Sequence, residues 1–258
     1  MIDFLKDITL EAGKVASSYF LKEIDISYKS SSLDLLTEAD IATSDFLIKK
    51  IKEKYPNHSI LTEEHNEFYI EGETWQWVID PIDGTRNFAK GIPIWAVMIA
   101  ILKDKQLIYS SVYFPTIDKL FYAAKNQGAF CNKQQLKPKL YGDFANLCCL
   151  ASCYPNIIAS AKHQKEFSIA MNSIFKHPSL KYQTLGAGAS MVLIADGSFD
   201  FGFKNAGYDW DNLPIALILR EAGFLVLNLK GQDWQQGQSD FIVCPSVFKY
   251  QILDFFRN

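Results

Sequence analysis

Residues 75–88 read Trp-Gln-Trp-Val-Ile-Asp-Pro-Ile-Asp-Gly-Thr-Arg-Asn-Phe, an apolar run that leads directly into two acidic residues three positions apart. The apolar half predicts a buried strand, which we expect to end at Pro81 because proline donates no hydrogen bond to a sheet. Gly84 permits a turn conformation that other residues avoid, so Asp83 is predicted to fold back beside Asp80. The segment therefore predicts two carboxylates in one small volume at the end of a strand.

Two carboxylates at such short range raise each other's pKa unless a cation neutralises them. Hard oxygen ligands favour Mg²⁺, Mn²⁺ or Ca²⁺ over softer metals. The alternative is an ordinary turn, rich in Asp, Pro and Gly, whose carboxylates are solvated. The segment alone leaves both interpretations open, and the rest of the chain favours the metal site.

The composition is that of a globular protein. The chain has 258 residues, of which 48% are hydrophobic and 14% aromatic, enough for one large domain or two modest ones. A net charge of −3 and the absence of a long Lys/Arg run argue against a nucleic-acid-binding protein. The longest apolar run, Ile92–Leu102, is shorter than the roughly 20 residues that cross a bilayer. Charged residues near the N-terminus also disfavour a signal peptide, so we expect a cytoplasmic protein without membrane association.

The five cysteines do not indicate a disulfide framework, because their number is odd and none forms a C-x-x-C pair. A zinc site built from Cys149, Cys153 and His163 is the alternative, but the spacing of these residues is poor for one. Buried, reduced thiols are the favoured interpretation.

Hydrophobic periodicity divides the chain into helices and strands. Helices are predicted over residues 3–20, from Thr37 to before Pro56, and over 161–175, 187–195, 212–222 and 246–256. Strands are predicted over 58–62, 92–102, 106–114, 119–124, 128–132, 181–184, 198–203, 224–229 and 241–244. The segments between 92 and 132 are joined by short polar turns, which predicts an antiparallel meander.

Several acidic residues have a local structural explanation. Thr37 and Asp40 form a capping-box pattern, Asp211 suits the N-cap of the helix that follows it, and Glu63 is readily a solvated surface residue. These residues share one further property, since each falls where a strand ends or a helix begins. Ligand sites in α/β-type folds are found at such positions.

Four segments, in order along the chain, resemble the inositol monophosphatase family of lithium-sensitive, magnesium-dependent sugar phosphatases: Lys29–Asp40, Thr62–Glu64, Asp80–Phe88 and Trp210–Gly223. The similarity runs from about residue 2 to residue 250. It implies an α+β fold, the layered αβαβα sandwich of the inositol monophosphatase and fructose-1,6-bisphosphatase type. Residues 1–143 would form an N-terminal α+β part with most metal ligands. Residues 144–258 would form a C-terminal α/β part with Asp211 and the substrate loop, in one compact unit.

The resemblance also implies two Mg²⁺ ions and a weaker third. Their expected ligands are Glu63, Asp80 and the carbonyl of Ile82 for the first, Asp80, Asp83 and Asp211 for the second, and Asp40 for the third. A metal-activated water would attack phosphorus near Glu63 and Thr85, with Asp40 as the other catalytic residue and no covalent protein intermediate.

Substrate contacts are also implied by the resemblance. The phosphate would lie against the backbone N–H groups of Gly84 and Thr85. The full set of expected substrate-binding residues is Asp83, Gly84, Thr85, Arg86, Gly186, Ala187, Lys204 and Asp211. Lys29, on the polar loop before Asp40, is expected to order the site when that loop closes.

The sequence departs from the family pattern at three positions. Thr62 replaces a glycine that many members have, and Arg86 brings a cation near the phosphate or the rest of the substrate. Lys204 stands about where inositol-hydrolysing members commonly have an acidic residue that binds ring hydroxyls. An ammonium group cannot accept hydrogen bonds from hydroxyls, which favours an additional anionic group on the substrate or a different alcohol.

The function implied is a Mg²⁺-dependent phosphomonoesterase for a small sugar or polyol phosphate, with inositol-1-phosphate first and Li⁺ as an inhibitor. Histidinol phosphate, a 3′-phosphonucleotide, NADP and fructose bisphosphate are the alternative substrates. A binding protein associated with RNA processing or transcription is the alternative of another class. The expected partners are the small phosphorylated substrate and a second copy of the chain in a homodimer, without a membrane or nucleic acid.

Overall fold

The computed structural model of the chain describes residues 1–22, 26–28, 35–64, 74–137, 142–153 and 162–257. Its helices are α1 Ile2–Ser17, α2 Glu38–Lys54, α3 Thr85–Ala89, α4 Gln164–Lys176, α5 Asp209–Glu221 and α6 Lys249–Asp254. Short 3₁₀ helices cover Pro115–Ile117, Phe144–Asn146, Gly188–Ile194 and Ser246–Phe248. The strands are β1 Ile26–Tyr28, β2 Leu35–Thr37, β3 Ser59–Thr62, β4 Trp75–Asp83, β5 Ala96–Lys103, β6 Gln106–Phe114, β7 Lys119–Ala124, β8 Ala129–Cys131, β9 Gln134–Gln135, β10 Cys148–Ser152, β11 Lys181–Gln183, β12 Phe201–Lys204, β13 Leu225–Leu227 and β14 Phe241–Cys244.

Two large sheets form the frame of the molecule. The first runs in the order β3-β4-β5-β6-β7-β8-β9, and β4 to β9 pair antiparallel in sequence, which confirms the predicted meander. Strand β3 joins this sheet parallel to β4. The second sheet has the order β11-β10-β12-β14-β13, with β10 parallel to both β11 and β12. Strands β1 and β2 form a separate antiparallel pair.

Alternating side chains along β4 explain how the first sheet is covered on both faces. Trp77 and Ile79 pack with Leu5 of α1 and Leu47 of α2, whereas Val78 belongs to the cluster on the opposite face, which contains α5. Successive residues of a strand point to opposite faces, so two apolar stripes cover two different helical layers. Helix α5 is buried without interruption over residues 211–219, as expected for a helix that lies between two sheets.

The second sheet covers the other side of α5 by the same alternation. Phe241 and Val243 of β14 join the cluster around α5, and Ile242 and Cys244 pack with residues of α4 and α6. The order of layers is therefore α1 and α2, the seven-stranded sheet, α5 with the 3₁₀ helix Gly188–Ile194, the five-stranded sheet, then α4 and α6. This arrangement confirms the predicted α+β layered fold.

The predicted end of the central strand at Pro81 is wrong. Strand β4 continues to Asp83, and its pairing with β5 shifts between Asp80, opposite Met98, and Asp83, opposite Ala96. Three steps along β4 thus match two along β5, which is a β-bulge. A bulge leaves its extra residue out of the hydrogen-bond ladder, so the missing N–H of proline is tolerated there.

The start of α5 also differs from the prediction. The helix begins at Asp209, its N-cap is Tyr208, and Asp211 is the third helical residue, not the N-cap. The Asp211 carboxylate reaches back and accepts a hydrogen bond from the Tyr208 N–H at 2.6 Å. Pro214 consequently lies in the second turn of the helix, one turn later than predicted. The segment predicted as a helix over 187–195 is the 3₁₀ helix Gly188–Ile194.

All five cysteines are free thiols. Cys149 is fully buried, and burial raises the pKa of its thiol well above the usual value. The thiolate form that zinc requires is therefore disfavoured at this position. Among the described residues, no helix is both long enough and apolar enough to span a bilayer.

Candidate metal centre

The bulge in β4 brings two carboxylates to one face of the sheet. Residues three apart in a regular strand point to opposite faces, and the extra residue of the bulge cancels that difference. Asp80 and Asp83 lie opposite Met98 and Ala96, which both belong to the cluster around α5. The predicted pairing of the two side chains is therefore present, and it arises from a bulge, not from a turn.

Asp211 completes the cluster from the other side, at the start of α5. Carboxylate oxygens of Asp80, Asp83 and Asp211 all lie within 4.8 Å of one another. The three residues are 1%, 5% and 8% exposed. Within the described parts of the chain, this is the only group of three or more potential metal-ligating side chains so close together.

The electrostatic surroundings of Asp83 disfavour its ionised form unless positive charge lies nearby. Burial and the neighbouring Asp211 carboxylate raise the pKa of Asp83 to about 6. Hydrogen bonds from the N–H groups of Gly188 and Ala189, at 3.1 and 2.7 Å, act in the opposite direction, as does the charge of Lys204. Three buried carboxylates with exclusively hard oxygen donors fit Mg²⁺ better than a softer metal.

Asp83 also connects the two halves of the chain. Its two carboxylate oxygens accept hydrogen bonds from the first residues of the 3₁₀ helix Gly188–Ile194. An acidic group at this end of a helix satisfies N–H groups that have no partner within the helix. The same side chain can therefore position the segment that follows Gly186 and Ala187 and contribute to a metal site.

Glu63 lies outside the group of three but next to Asp80 in the sheet. Strands β3 and β4 are parallel with Thr62 beside Ile79, so the following pair is Glu63 and Asp80. The Glu63 N–H donates to the Ile79 carbonyl at 3.1 Å, which fixes this register past the end of β3. Thr62 is buried, and its hydroxyl oxygen accepts from the Ser44 hydroxyl at 3.3 Å. The unusual threonine thus packs between strand and helix.

Asp40 is held in place by its own helix. The capping box predicted for Thr37 and Asp40 is confirmed: one carboxylate oxygen of Asp40 accepts the Thr37 N–H at 2.9 Å and the Thr37 hydroxyl at 2.5 Å. The other carboxylate oxygen lies 3.4 Å from the Thr85 hydroxyl. Thr85 also lies 3.0 Å from the carbonyl of Ile82. The structure thus brings together Asp40, Ile82 and Thr85, three of the predicted site residues.

Gly84 joins Asp83 to Thr85 and adopts the left-handed conformation that the sequence predicts, with φ of +88°. A Cβ at this position would lie 2.9 Å from the Ala187 Cβ and 3.2 Å from the Ile94 carbonyl oxygen. Only glycine fits between these neighbours. Thr85 is then the first residue of α3.

The predicted substrate-binding residues differ in their exposure to solvent. Gly186 is exposed, with φ of +75°, whereas the Ala187 side chain is buried against Gly84. Arg86 is exposed on α3, as a substrate contact requires. Lys204 is fully buried, and this placement does not support the predicted direct contact with a substrate. Lys29 lies outside the described residues.

Asn87 holds the surroundings of the candidate site together, a role that the sequence did not predict. Its side-chain amide donates to the carbonyls of Ile94 and Leu185, both at 2.7 Å. These bonds attach the segment before Gly186 to α3, across 98 positions of sequence. Its place inside the D-G-T-R-N run next to Asp83 and Thr85 was the only available signal, and spacing alone could not identify its partners.

Replacing Asn87 by alanine is expected to lower the free energy of unfolding by about 2 kcal/mol or more, because two carbonyls lose their donor. Urea denaturation measures this difference. The exposed Asn146 provides the control, and its replacement by alanine is expected to leave stability nearly unchanged. Equal stability of the two variants would contradict the assignment of Asn87 to loop attachment.

Comparisons with known proteins identify a family for the whole chain. The model of the "Inositol monophosphatase family" matches residues 1–255. Inositol monophosphatase 1 of Bos taurus is 32% identical over 237 residues, which cover 89% of this chain and 84% of the relative. The protein of the same name from Mus musculus is 30% identical over 253 residues, which cover 95% of this chain and 90% of the relative.

Two solved structures share the fold at lower sequence identity. The extragenic suppressor protein suhB of Bartonella henselae superimposes with a TM-score of 0.90 at 21% identity, covering 99% of this chain and 98% of that one. An IMPase/NADP phosphatase complexed with Mg²⁺ and phosphate superimposes with a TM-score of 0.79 at 20% identity, covering 98% and 92%.

Proposed function

The chain belongs to the inositol monophosphatase family, and from this premise we propose that it hydrolyses a small sugar or polyol phosphate, first of all inositol-1-phosphate. Membership makes the chain a phosphomonoester hydrolase that depends on Mg²⁺. The observation that carries the proposal is the cluster of Asp80, Asp83 and Asp211, three buried carboxylates within 4.8 Å.

We assign the ligands of each metal ion, beginning with the three residues of this cluster. Asp80, Asp83 and Asp211 would hold one Mg²⁺, and Glu63, Asp80 and the Ile82 carbonyl would hold a second. Asp40 would contribute to a weaker third. When bound, the ions neutralise charge on the phosphoryl group and activate water, which is what hydrolysis of a phosphate monoester demands.

The chain's own residues supply orientation and a path for a proton. Thr37 fixes the carboxylate of Asp40, whose other oxygen faces the Thr85 hydroxyl at 3.4 Å. The Thr85 hydroxyl has one proton and lies 3.0 Å from the Ile82 carbonyl as well as 3.4 Å from Asp40. When it turns to donate to Asp40, its oxygen can accept a hydrogen bond from a water, and as the water gives its proton to Thr85, Thr85 passes its own proton to Asp40, which leaves hydroxide as the nucleophile. Asp40 is therefore assigned as the base that acts through Thr85, and the half-buried Glu63 completes the polar side of the site.

The substrate phosphate is placed at the first turn of α3. The N–H groups of Gly84 and Thr85 lie at the start of this short helix, next to Asp83. Arg86 follows on the exposed side and is assigned to the phosphate or to a second anionic group of the substrate. Gly186 is assigned to the side of the site that would face the alcohol group of the substrate.

A panel of phosphate esters tests the proposal. Phosphate release is measured for inositol-1-phosphate, histidinol phosphate and fructose-1,6-bisphosphate, each with Mg²⁺, with Mg²⁺ plus Li⁺, and with EDTA. We expect turnover of at least one ester that EDTA abolishes and Li⁺ suppresses. No turnover of any ester by a protein that still binds Mg²⁺ would contradict the proposal and favour the binding-protein alternative. Light scattering of the same preparation tests the homodimer that we also propose.

A nucleotide substrate is the second candidate function. Tyr208 is 48% exposed and is the N-cap of the helix that carries Asp211, and its ring stacks on that of Trp210 with 4.8 Å between ring centroids. An exposed aromatic residue at the N-cap of the helix that carries Asp211 suits stacking against a planar base. We therefore add NADP and 3′-phosphoadenosine 5′-phosphate to the panel. If Tyr208→Ala leaves the KM of these nucleotides unchanged, the stacking role is wrong.

A further inference from the structure

Lys204 is the one lysine of the described residues that is buried, and its exposure is 0%. It lies at the end of β12, where Phe201 and Phe203 face α4 and Lys204 points the other way, toward the middle layer. Its Nζ donates to the backbone carbonyl of Asp211 at 3.2 Å and lies 5.5 Å from the centre of the Phe241 ring. The ammonium group is thus held at the start of α5, beside the acidic cluster.

The backbone near Lys204 leaves room for the ammonium group and little more. A Cβ at Gly207, where φ is +155°, would lie 3.2 Å from the Lys204 Nζ. An exposure of zero means that water does not reach the group in this arrangement. A buried charge without a counter-charge is strongly unfavourable, so a lysine here requires nearby anions.

The three carboxylates of the cluster are those anions. Asp211, whose backbone carbonyl accepts the hydrogen bond from Lys204 Nζ, has a carboxylate oxygen within 4.8 Å of those of Asp80 and Asp83. All three carboxylates are buried with the lysine, so water screens the charges little. The lysine and the cluster therefore stabilise each other's charged forms.

We propose that Lys204 is a built-in counter-ion of the Asp80, Asp83 and Asp211 cluster, which keeps the metal-free cluster together and weakens its binding of Mg²⁺. The inference rests on the proposed function for the identity of the metal site. A fixed positive charge in the same buried volume repels a dication and attracts the carboxylates that would bind it. Lys204 is in this sense a positioning residue, which acts on the substrate only through the metal site.

The direction in which the affinity for Mg²⁺ changes separates this role of Lys204 from a purely structural one. The Lys204→Met variant replaces the ammonium with an apolar group of similar length, and we expect its Kd for Mg²⁺ to fall about tenfold or more. Structural damage would weaken Mg²⁺ binding instead. Without metal, the variant is expected to melt at a lower temperature than the unsubstituted chain, and Mg²⁺ is expected to raise its melting temperature by a larger amount.

Isothermal titration calorimetry with MgCl₂ on the full chain measures the Kd, and circular dichroism confirms folding. Lys204→Gln, which keeps a donor for the Asp211 carbonyl without the charge, is expected to bind Mg²⁺ more tightly too, and it decides the question if Lys204→Met does not fold. A Kd equal to or higher than that of the unsubstituted chain overturns the inference. If the unsubstituted chain itself binds no Mg²⁺, the proposed function fails; if it binds Mg²⁺ and the lysine variants do not differ from it, only this inference fails.

Discussion

Replacing Asp211 by asparagine is expected to lower phosphate release at least about a thousandfold, which corresponds to about 4 kcal/mol of transition-state stabilisation. The neutral amide removes one of three carboxylates that would hold a metal ion. It keeps an oxygen that can accept the Tyr208 N–H, so the start of α5 is preserved. Steady-state phosphate release at saturating Mg²⁺ measures the effect.

The stability of the Asp211→Asn variant provides a second readout of the same substitution. Asp211 raises the pKa of Asp83, so removing its charge relieves repulsion between buried carboxylates. Asp80 and Asp83 remain to balance the charge of Lys204, so the metal-free variant is expected to be at least as stable as the unsubstituted chain and to lose most of the stabilisation that Mg²⁺ provides.

Asp209 is the matched control for Asp211, since both lie in the first turn of α5. The half-buried Asp209 is not part of the cluster, and its carboxylate accepts hydrogen bonds from the Gln236 side chain and from the Gly237 N–H. Asp209→Asn is expected to leave turnover within about twofold of the unsubstituted chain. Full activity in the Asp211→Asn variant would remove Asp211 from the metal site.

Replacing Gly84 by alanine is expected to destabilise the protein by about 3 kcal/mol or more and to lower turnover at least about a hundredfold. The left-handed conformation strains any residue with a Cβ, and the new methyl would lie 2.9 Å from the Ala187 Cβ. Relief of that contact has to move either Ala187 or the link between Asp83 and Thr85. A shift of about 1 Å in a catalytic group is sufficient for a hundredfold loss.

Gly237 separates the two causes of this effect. It has nearly the same backbone conformation, with φ of +82° against +88° at Gly84, and a Cβ there would meet nothing within 4 Å. Gly237→Ala is therefore expected to cost only the conformational strain, about 1 kcal/mol, with turnover unchanged. Thermal denaturation and phosphate release of both variants give the comparison. Equal losses in the two variants would show that crowding at Gly84 has no role.

Local sequence patterns were sufficient to predict those structural features that depend on interactions between neighbouring residues. The meander from β5 to β8 is joined by short turns between alternating segments, so its strands were predicted within a few residues. The capping box of Thr37 and Asp40 spans a single helical turn, and Gly84 needs its left-handed conformation for local reasons. Both features were found from the sequence because neither depends on a distant part of the chain.

Other features depend on distant partners and were missed or misplaced. The bulge in β4 exists only relative to β5, so the sequence suggested a strand end at Pro81. The hydrogen bonds of Asn87 cross 98 positions, and no spacing rule reaches that far. Residues 187–195 have a helical pattern, yet they form a 3₁₀ helix whose first N–H groups bond to Asp83. Such tertiary hydrogen bonds compete with local preference.

The sequence by itself determined which acidic residues are available and, through the alternation of apolar residues, the layers that carry them. Only the tertiary structure decided how they meet: the bulge turns Asp83 to the face of Asp80, and α5, packed between two sheets, brings Asp211 to both. It also decided that Lys204 is a buried neighbour of the cluster and not a surface group. The physical reason is that the layers packed on the two faces of a sheet decide which face each strand residue points to. Those layers come from distant parts of the chain.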